Sequence, residues 1–183
     1  MGQYYEVIIY VIENDKKIIK NIINPRSFGS YLKLMEHSYL NVKFLNVIEL
    51  ILSNKSYLYK KVNIVWKGDY SEIMFNNNEN EISGLLQNQY CLGEFINENE
   101  KNIEYYQYIV NHTKKVYIDK KKLKNNIHPL PLLVAYGNGR GGGDYEGNNE
   151  ELCGTWIDDI ITMENSLESS EYTEFNPDFY END

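Results

Sequence analysis

The apolar positions of this chain follow two periods. In residues 3–12, "QYYEVIIYVI", β-branched and aromatic side chains dominate, which predicts a strand. "ENDKK" then turns the chain and "IIKNII" supplies a returning strand. Asn24-Pro25 interrupts the run, because the residue before a proline avoids the α region. Residues 31–36, "YLKLME", read as extended. From 41 to 54 the spacing changes: Val42, Leu45, Ile48, Ile51 and Leu52 lie one helical turn apart, with Asn41 placed to cap. This predicts one clear helix over 42–53. "KKVNIVWKGDY" (60–70) reads as a strand closing on a Gly-Asp turn.

Residues 76–104 are polar at both ends and carry no clean period between. Beyond them, "YYQYIVNHTKKVYID" (105–119) reads as a second hairpin. "HPLPLLVAY" (128–136) fits a short helix opened by Pro129 and Pro131, or a buried strand, and its length does not choose between them. "GTWIDDIITM" (154–163) reads as the last strand.

Four features recur in the same order in the two halves. Tyr4-Tyr5, Lys16-Lys17, Asn24-Pro25 and the Trp66-to-Asp69 stretch are answered by Tyr105-Tyr106, Lys114-Lys115, His128-Pro129 and Trp156 to Asp159. The reading is an α+β fold: a single strand-rich domain of two imperfectly repeated halves, 1–75 and 103–162, joined by a connector, 76–102. Neither half buries its apolar face alone, so the halves are expected to pair, with a cleft where they meet. Trp66 and Trp156 are expected to superpose.

The 183 residues suit one domain or two small lobes sharing a core. No apolar run approaches the ~20 residues a membrane-spanning helix needs, and no signal peptide is recognisable, so no membrane is expected. Cys91 and Cys153 lie far apart without metal-ligand spacing. A disulfide framework and a metal site are therefore not expected, and the default is an intracellular, cytoplasmic protein. Heavy use of Asn, Ile, Tyr and Lys points to an AT-rich source genome: a low-GC bacterium, its phage or a large DNA virus. For a virus, the compartment is the host cytoplasm.

The net charge of −9 is uneven. Residues 163–183 carry acidic side chains and no Lys or Arg, and read as a solvated, disordered acidic tail whose aromatics are available for docking. "TKKVYIDKKKLK" (113–124) is the basic counterpart. Lysines beside aromatics can meet a phosphate backbone, but in a chain this acidic they read as a solubilising hairpin, and nucleic acid is not the expected partner.

The segments "MGQYY", "LKLMEHS", "WKGDY", "IHPLPLLVAYGNGRGGGDYEG" and "GTWIDD" resemble an uncharacterised family scattered through bacteria, phages and large DNA viruses. The likeness spans most of residues 1–162, and the glycine-arginine run is its most distinctive part. The resemblance implies an intact domain and carries no activity, because none is established for that family.

The glycine run is the first candidate site. Gly137, Gly139 and Gly142 match G-x-G-x-x-G, yet "GDYEGNNEELCG" cannot open the long helix a dinucleotide fold requires. No Gly-Lys-Ser/Thr occurs either, which removes a P-loop, and no cofactor is expected. What remains is a nest: Gly139, Gly141, Gly142 and Gly143 can aim successive N–H groups at an anion, with Arg140 adding a forked donor and Asp144 at the edge. The competing reading is a long hairpin with Arg140 paired to Asp144. The second candidates are possible acid/base groups: Glu36 and His37, and Asp69 with Asp159, one after each tryptophan. A satisfied buried histidine and turn aspartates are the structural alternatives.

The functional expectation is a binding or accessory protein that recognises a small anionic ligand or a protein partner at the Gly/Arg loop. The alternative is an enzyme acting on a nucleotide or other phosphate-containing substrate; a third reading is a viral or phage structural component. Nothing in the pattern sets an oligomeric state.

Overall fold

A computed structural model of the chain describes residues 3–53, 62–78, 81–82, 106–137, 145–167 and 170–180. The fold is α+β and strand-rich, with two similar halves and, among the described residues, two four-stranded sheets.

The first half opens with β1 (Tyr5–Glu13) and β2 (Lys16–Ile23), an antiparallel hairpin. Its two-residue turn, Asn14-Asp15, has φ of 50° and 61°. Positive φ at both centres is the turn twist that matches the twist of the strands, and Asn and Asp tolerate it best after Gly. After the helix α1 (Lys43–Leu52), β3 (Asn63–Gly68) returns antiparallel on the other side of β1. The second half repeats this plan. The hairpin β4 (Tyr108–Asn111) and β5 (Val116–Asp119) is followed by the short helix α2 (Pro129–Leu133) and β6 (Ala135–Tyr136), and then β7 (Ile161–Glu164) pairs antiparallel with β4. Each half thus places its first strand centrally, its hairpin partner on one side and its last strand on the other.

The fourth strands differ. β6 adds parallel to β3, whereas β8 (Thr173–Glu174) adds parallel to β5. β6 therefore carries the second half into the first sheet. Reciprocally, α1 packs on β7, and Ser53 bridges Met163. One apolar core consequently draws on both halves, from Val7, Ile48 and Trp66 to Ile109, Leu132 and Met163. Ile8, Tyr10, Ile19, Ile22 and Val65 form a smaller cluster, with Ile73, Phe75 and Tyr136 packed against it.

The two polar-proline pairs have the same local structure. Asn24 caps a 3₁₀ turn, Pro25–Phe28, by accepting the Arg26 N–H at 2.9 Å; His128 caps α2 by accepting the Leu130 N–H at 3.2 Å. Proline at the first helical position lacks only an N–H that would go unpaired, and its φ is preset.

Several expectations are corrected. Trp66 lies in β3, but Trp156 lies in the turn before β7, so the two tryptophans do not correspond. "GTWIDDIITM" is strand only from Ile161; Asp158 has φ of 68°, which a strand cannot absorb. "YLKLME" bends into a 3₁₀ turn, Met35–His37, instead of extending. Asn41 does not cap α1: it sits at φ 66°, and Val42 occupies the cap position. The ambiguous 128–136 stretch is both a helix and a strand in succession. Finally, the expected solvated tail is docked as far as it is described. Its first residues complete β7, Phe179 is buried and Phe175 packs on the core, because aromatic surface outweighs the solvation of its carboxylates. Most of the connector 76–102 lies outside the described residues.

Candidate functional site

Gly139, Arg140, Gly141, Gly142, Gly143 and Asp144 lie outside the described residues, but both roots of their loop are defined. The first root is Gly137, directly after β6. A Cβ built there would collide with Gln3 Oε1 and stand 2.8 Å from the Tyr5 hydroxyl, so a side chain enters only if the ends of Gln3 and Tyr5 move. Its Cα in turn lies 3.2 Å from where a Cβ of Gly68 would be. "QYY", "WKGDY" and "AYG" (135–137) therefore meet at one corner, where β1 begins and β3 and β6 end. The second root is Tyr145, buried, with its hydroxyl on the carbonyls of Asn148 and Tyr180.

β6 also forms part of the wall of a groove of about 460 Å³, bordered by Lys17, Tyr136, Glu151, Cys153, Ile157 and Asp158. Lys17 and Ile73 come from the first half and the rest of its lining from the second, so this is a cleft between the halves. Asp158 is held there by side chains of the first half. The Tyr10 hydroxyl donates to Asp158 Oδ1 at 2.5 Å and accepts the Asp158 N–H at 3.1 Å; Lys17 Nζ lies 2.7 Å from the carboxylate. Burial, followed by the Asp158 carboxylate, pushes the Tyr10 hydroxyl far up, so it stays a donor.

Adjacent Asp159 is gripped by the other half: Asn111 Nδ2 donates to Oδ2 at 2.7 Å and Lys114 Nζ pairs with the same oxygen. Asn63 of β3 donates to both main-chain carbonyls, at 2.7 and 3.1 Å. The aspartate pair thus joins the halves: Asp158 is held by Lys17 of β2 and Asp159 by Lys114 in the turn of the second half's own hairpin.

The remaining acid/base candidates do not converge. His37 is fully buried. Its Nε2 accepts the Trp66 indole N–H at 2.9 Å, and its Nδ1 faces the Tyr31 carbonyl at 3.0 Å. An acceptor carbonyl requires the proton on Nδ1, so the ring is a neutral tautomer with both nitrogens used. Glu36 is exposed and accepts the Lys33 N–H at 3.0 Å. Asp69 is exposed and exchanges main-chain and side-chain bonds with Tyr4, extending the β1–β3 ladder. It borders a second groove of about 340 Å³ with Tyr4, Glu6, Asn24 and Lys67. Burial raises the Glu6 carboxyl there, and Lys67 partly offsets this.

Sequence reasoning passed over Asp158, Lys17 and Tyr136. Only the doubled aspartate signals the first, and it sits in a stretch of strand composition. A buried triad was also missed. Glu49 of α1 accepts from Lys120 Nζ and, at 2.8 Å, from His128 Nε2. All three are under 5% exposed. Burial works against the Glu49 charge, but His128 and Lys120 outweigh it and hold the carboxyl below its usual range. Burial pushes Lys120 and His128 down, with Glu49 opposing both.

Among the described residues, no cluster of His, Cys, Asp and Glu is arranged to hold a metal ion, and no helix is long and apolar enough to cross a membrane. Comparison with family models, with curated proteins and with solved structures finds no match to this chain.

Proposed function

We propose that this chain is a binding protein, and that its ligand is a small anion-bearing molecule held between the inter-half groove and the glycine-arginine loop. The observation that carries the reading is the shared wall: β6 lines the groove with Ala135 and Tyr136 and runs directly into the loop at Gly137. The groove's volume is within the ~300–1,000 Å³ of small-molecule sites. Tyr136 supplies an aromatic face, Lys17 a cation and Arg140 a fork matched to phosphate or carboxylate. Inorganic phosphate, nucleoside phosphates and dicarboxylates are the probes. Calorimetry should show binding to the parent that Arg140→Lys and Gly142→Ala both weaken, with the melting temperature of each free variant near the parent's. Absence of binding to any of these anions at millimolar concentration overturns the proposal.

A second reading, an enzyme on a phosphate-containing substrate, has one observation in its favour. Asp158 presents a carboxylate to the groove from a left-handed backbone, a conformation that non-glycine residues adopt at a cost and that gathers at functional sites. Turnover of a nucleotide that is lost in Asp158→Asn, with the fold intact, would favour it.

A further inference from the structure

The lysine-rich stretch 113–124 is covered by the acidic segment that follows β7. Lys122 Nζ lies 2.7 Å from Glu174, Lys124 Nζ 3.1 Å from Asp178, and the Lys115 ammonium 5.1 Å over the Tyr172 ring. Main-chain bonds join them. Thr173 N–H donates to the Lys115 carbonyl at 3.0 Å and Phe175 N–H to the Tyr117 carbonyl at 2.7 Å, which is how β8 adds to the edge of β5. Downstream, Phe175 packs on Trp156 and Phe179 on Tyr145.

We propose that the β5 edge, with Lys115, Lys122 and Lys124, is a receptor for an extended acidic-aromatic peptide, which residues 172–179 occupy in cis and which a partner protein's segment of the same chemistry displaces. The occupant states the specificity: carboxylates four residues apart at Glu174 and Asp178, aromatics at 172, 175 and 179, and a main chain that is strand at Thr173–Glu174. Strand addition supplies main-chain bonds and leaves selection to the side chains, and an uncovered sheet edge invites it. Phe175 and Phe179 supply the apolar part of the cis hold, and its ionic part is the weaker one. β8 is two residues long, and the Lys122 and Lys124 side chains are 54% and 77% exposed, so their ion pairs are weak and screened by salt. A tethered occupant acts at an effective concentration on the order of millimolar, which sets the level a free competitor must reach.

The test uses the full chain. A fluorescent peptide of residues 170–180, "SEYTEFNPDFY", is titrated with the parent and with Glu174→Gln/Asp178→Asn, whose melting temperature is checked first. The parent should take up the peptide only near millimolar concentration, on the order of the tethered competitor. The double variant should bind roughly tenfold tighter, with the gain lost at about 1 M salt, where the Debye length is ~3 Å. Adding Lys122→Ala and Lys124→Ala to the double variant should abolish the gain. Equal binding to parent and variant, or equal binding of a peptide carrying E174K and D178K, overturns the proposal. So does a single-stranded oligonucleotide that displaces the peptide from the variant at lower concentration than unlabelled peptide does, since the face would then be a nucleic-acid surface.

Discussion

His37 shows how a residue that looks catalytic can be structural. Its Nδ1 faces a carbonyl and its Nε2 takes an indole proton, so no nitrogen is left to move protons. His37→Leu should keep the volume but leave the Trp66 N–H buried and unpaired, costing about 1–3 kcal/mol in denaturant unfolding. The Glu49–Lys120–His128 triad should be costlier to break. Glu49→Gln leaves the Lys120 ammonium buried without its carboxylate, and a loss of about 3–5 kcal/mol is expected. The triad also sets a pH dependence. His128 and Glu49 are both held below their ordinary values of 6.5 and 4.5, so at mildly acid pH the unfolded chain binds more protons than the folded one. The His128 and Glu49 contributions should be full above pH 6.5, fall as pH drops through the depressed His128 value, and fall again below 4.5 as Glu49 protonates. His128→Asn keeps a capping acceptor for Leu130 but does not titrate, and melting curves between pH 5 and 6.5 should flatten in that variant. None of this was legible in the sequence. Glu49 sits within an apolar helix pattern, and only tertiary packing shows that Lys120 and His128 reach it.

At the scale of elements, periodicity served where one face meets one core. β1, β2 and α1 were visible because their apolar spacing runs for eight or more residues. It failed where long-range contacts override local pattern. The stretch 154–160 has strand composition, yet Gly154 and Trp156 donate to the Leu132 and Leu133 carbonyls and Asp158 takes φ 68°, which bends it into turns. The Asn-Pro and His-Pro pairs were legible as punctuation, but their capping role appeared only in the geometry. The glycine root gives a prediction at this scale. Gly137→Ala would drive a methyl group into Gln3 and the Tyr5 hydroxyl, an overpacking that should cost about 1–3 kcal/mol. Gln3→Ala should recover part of the loss, because the amide is the nearest obstruction. If the two changes are additive with no recovery, Gln3 is not what excludes the side chain.

On the whole-molecule scale, the repeat was legible as an order of features, and the matching strand order of the two halves agrees with it. What sequence could not show is the exchange between them: β6 joining the first sheet, α1 packing on the second, and Asp158 and Asp159 each bound by a different half. Charge misled at the C-terminal end. The run of carboxylates suggested a solvated tail, whereas Phe175 and Phe179 dock it. Truncation after Leu167 should therefore lower stability by at least the ~1.5–3 kcal/mol that burying one large side chain contributes, and a melting temperature equal to the parent's would contradict the docked arrangement. The proposed anion site can be located by amide chemical shifts of the labelled chain titrated with inorganic phosphate and then with a nucleoside triphosphate. Saturable shifts are expected at Lys17, Tyr136, Gly154 and Ile157 and within 138–144, with Tyr4, Glu6 and Lys67 unmoved. Shifts centred instead on Tyr4, Glu6 and Lys67, or none at millimolar anion, would place the site elsewhere or remove it.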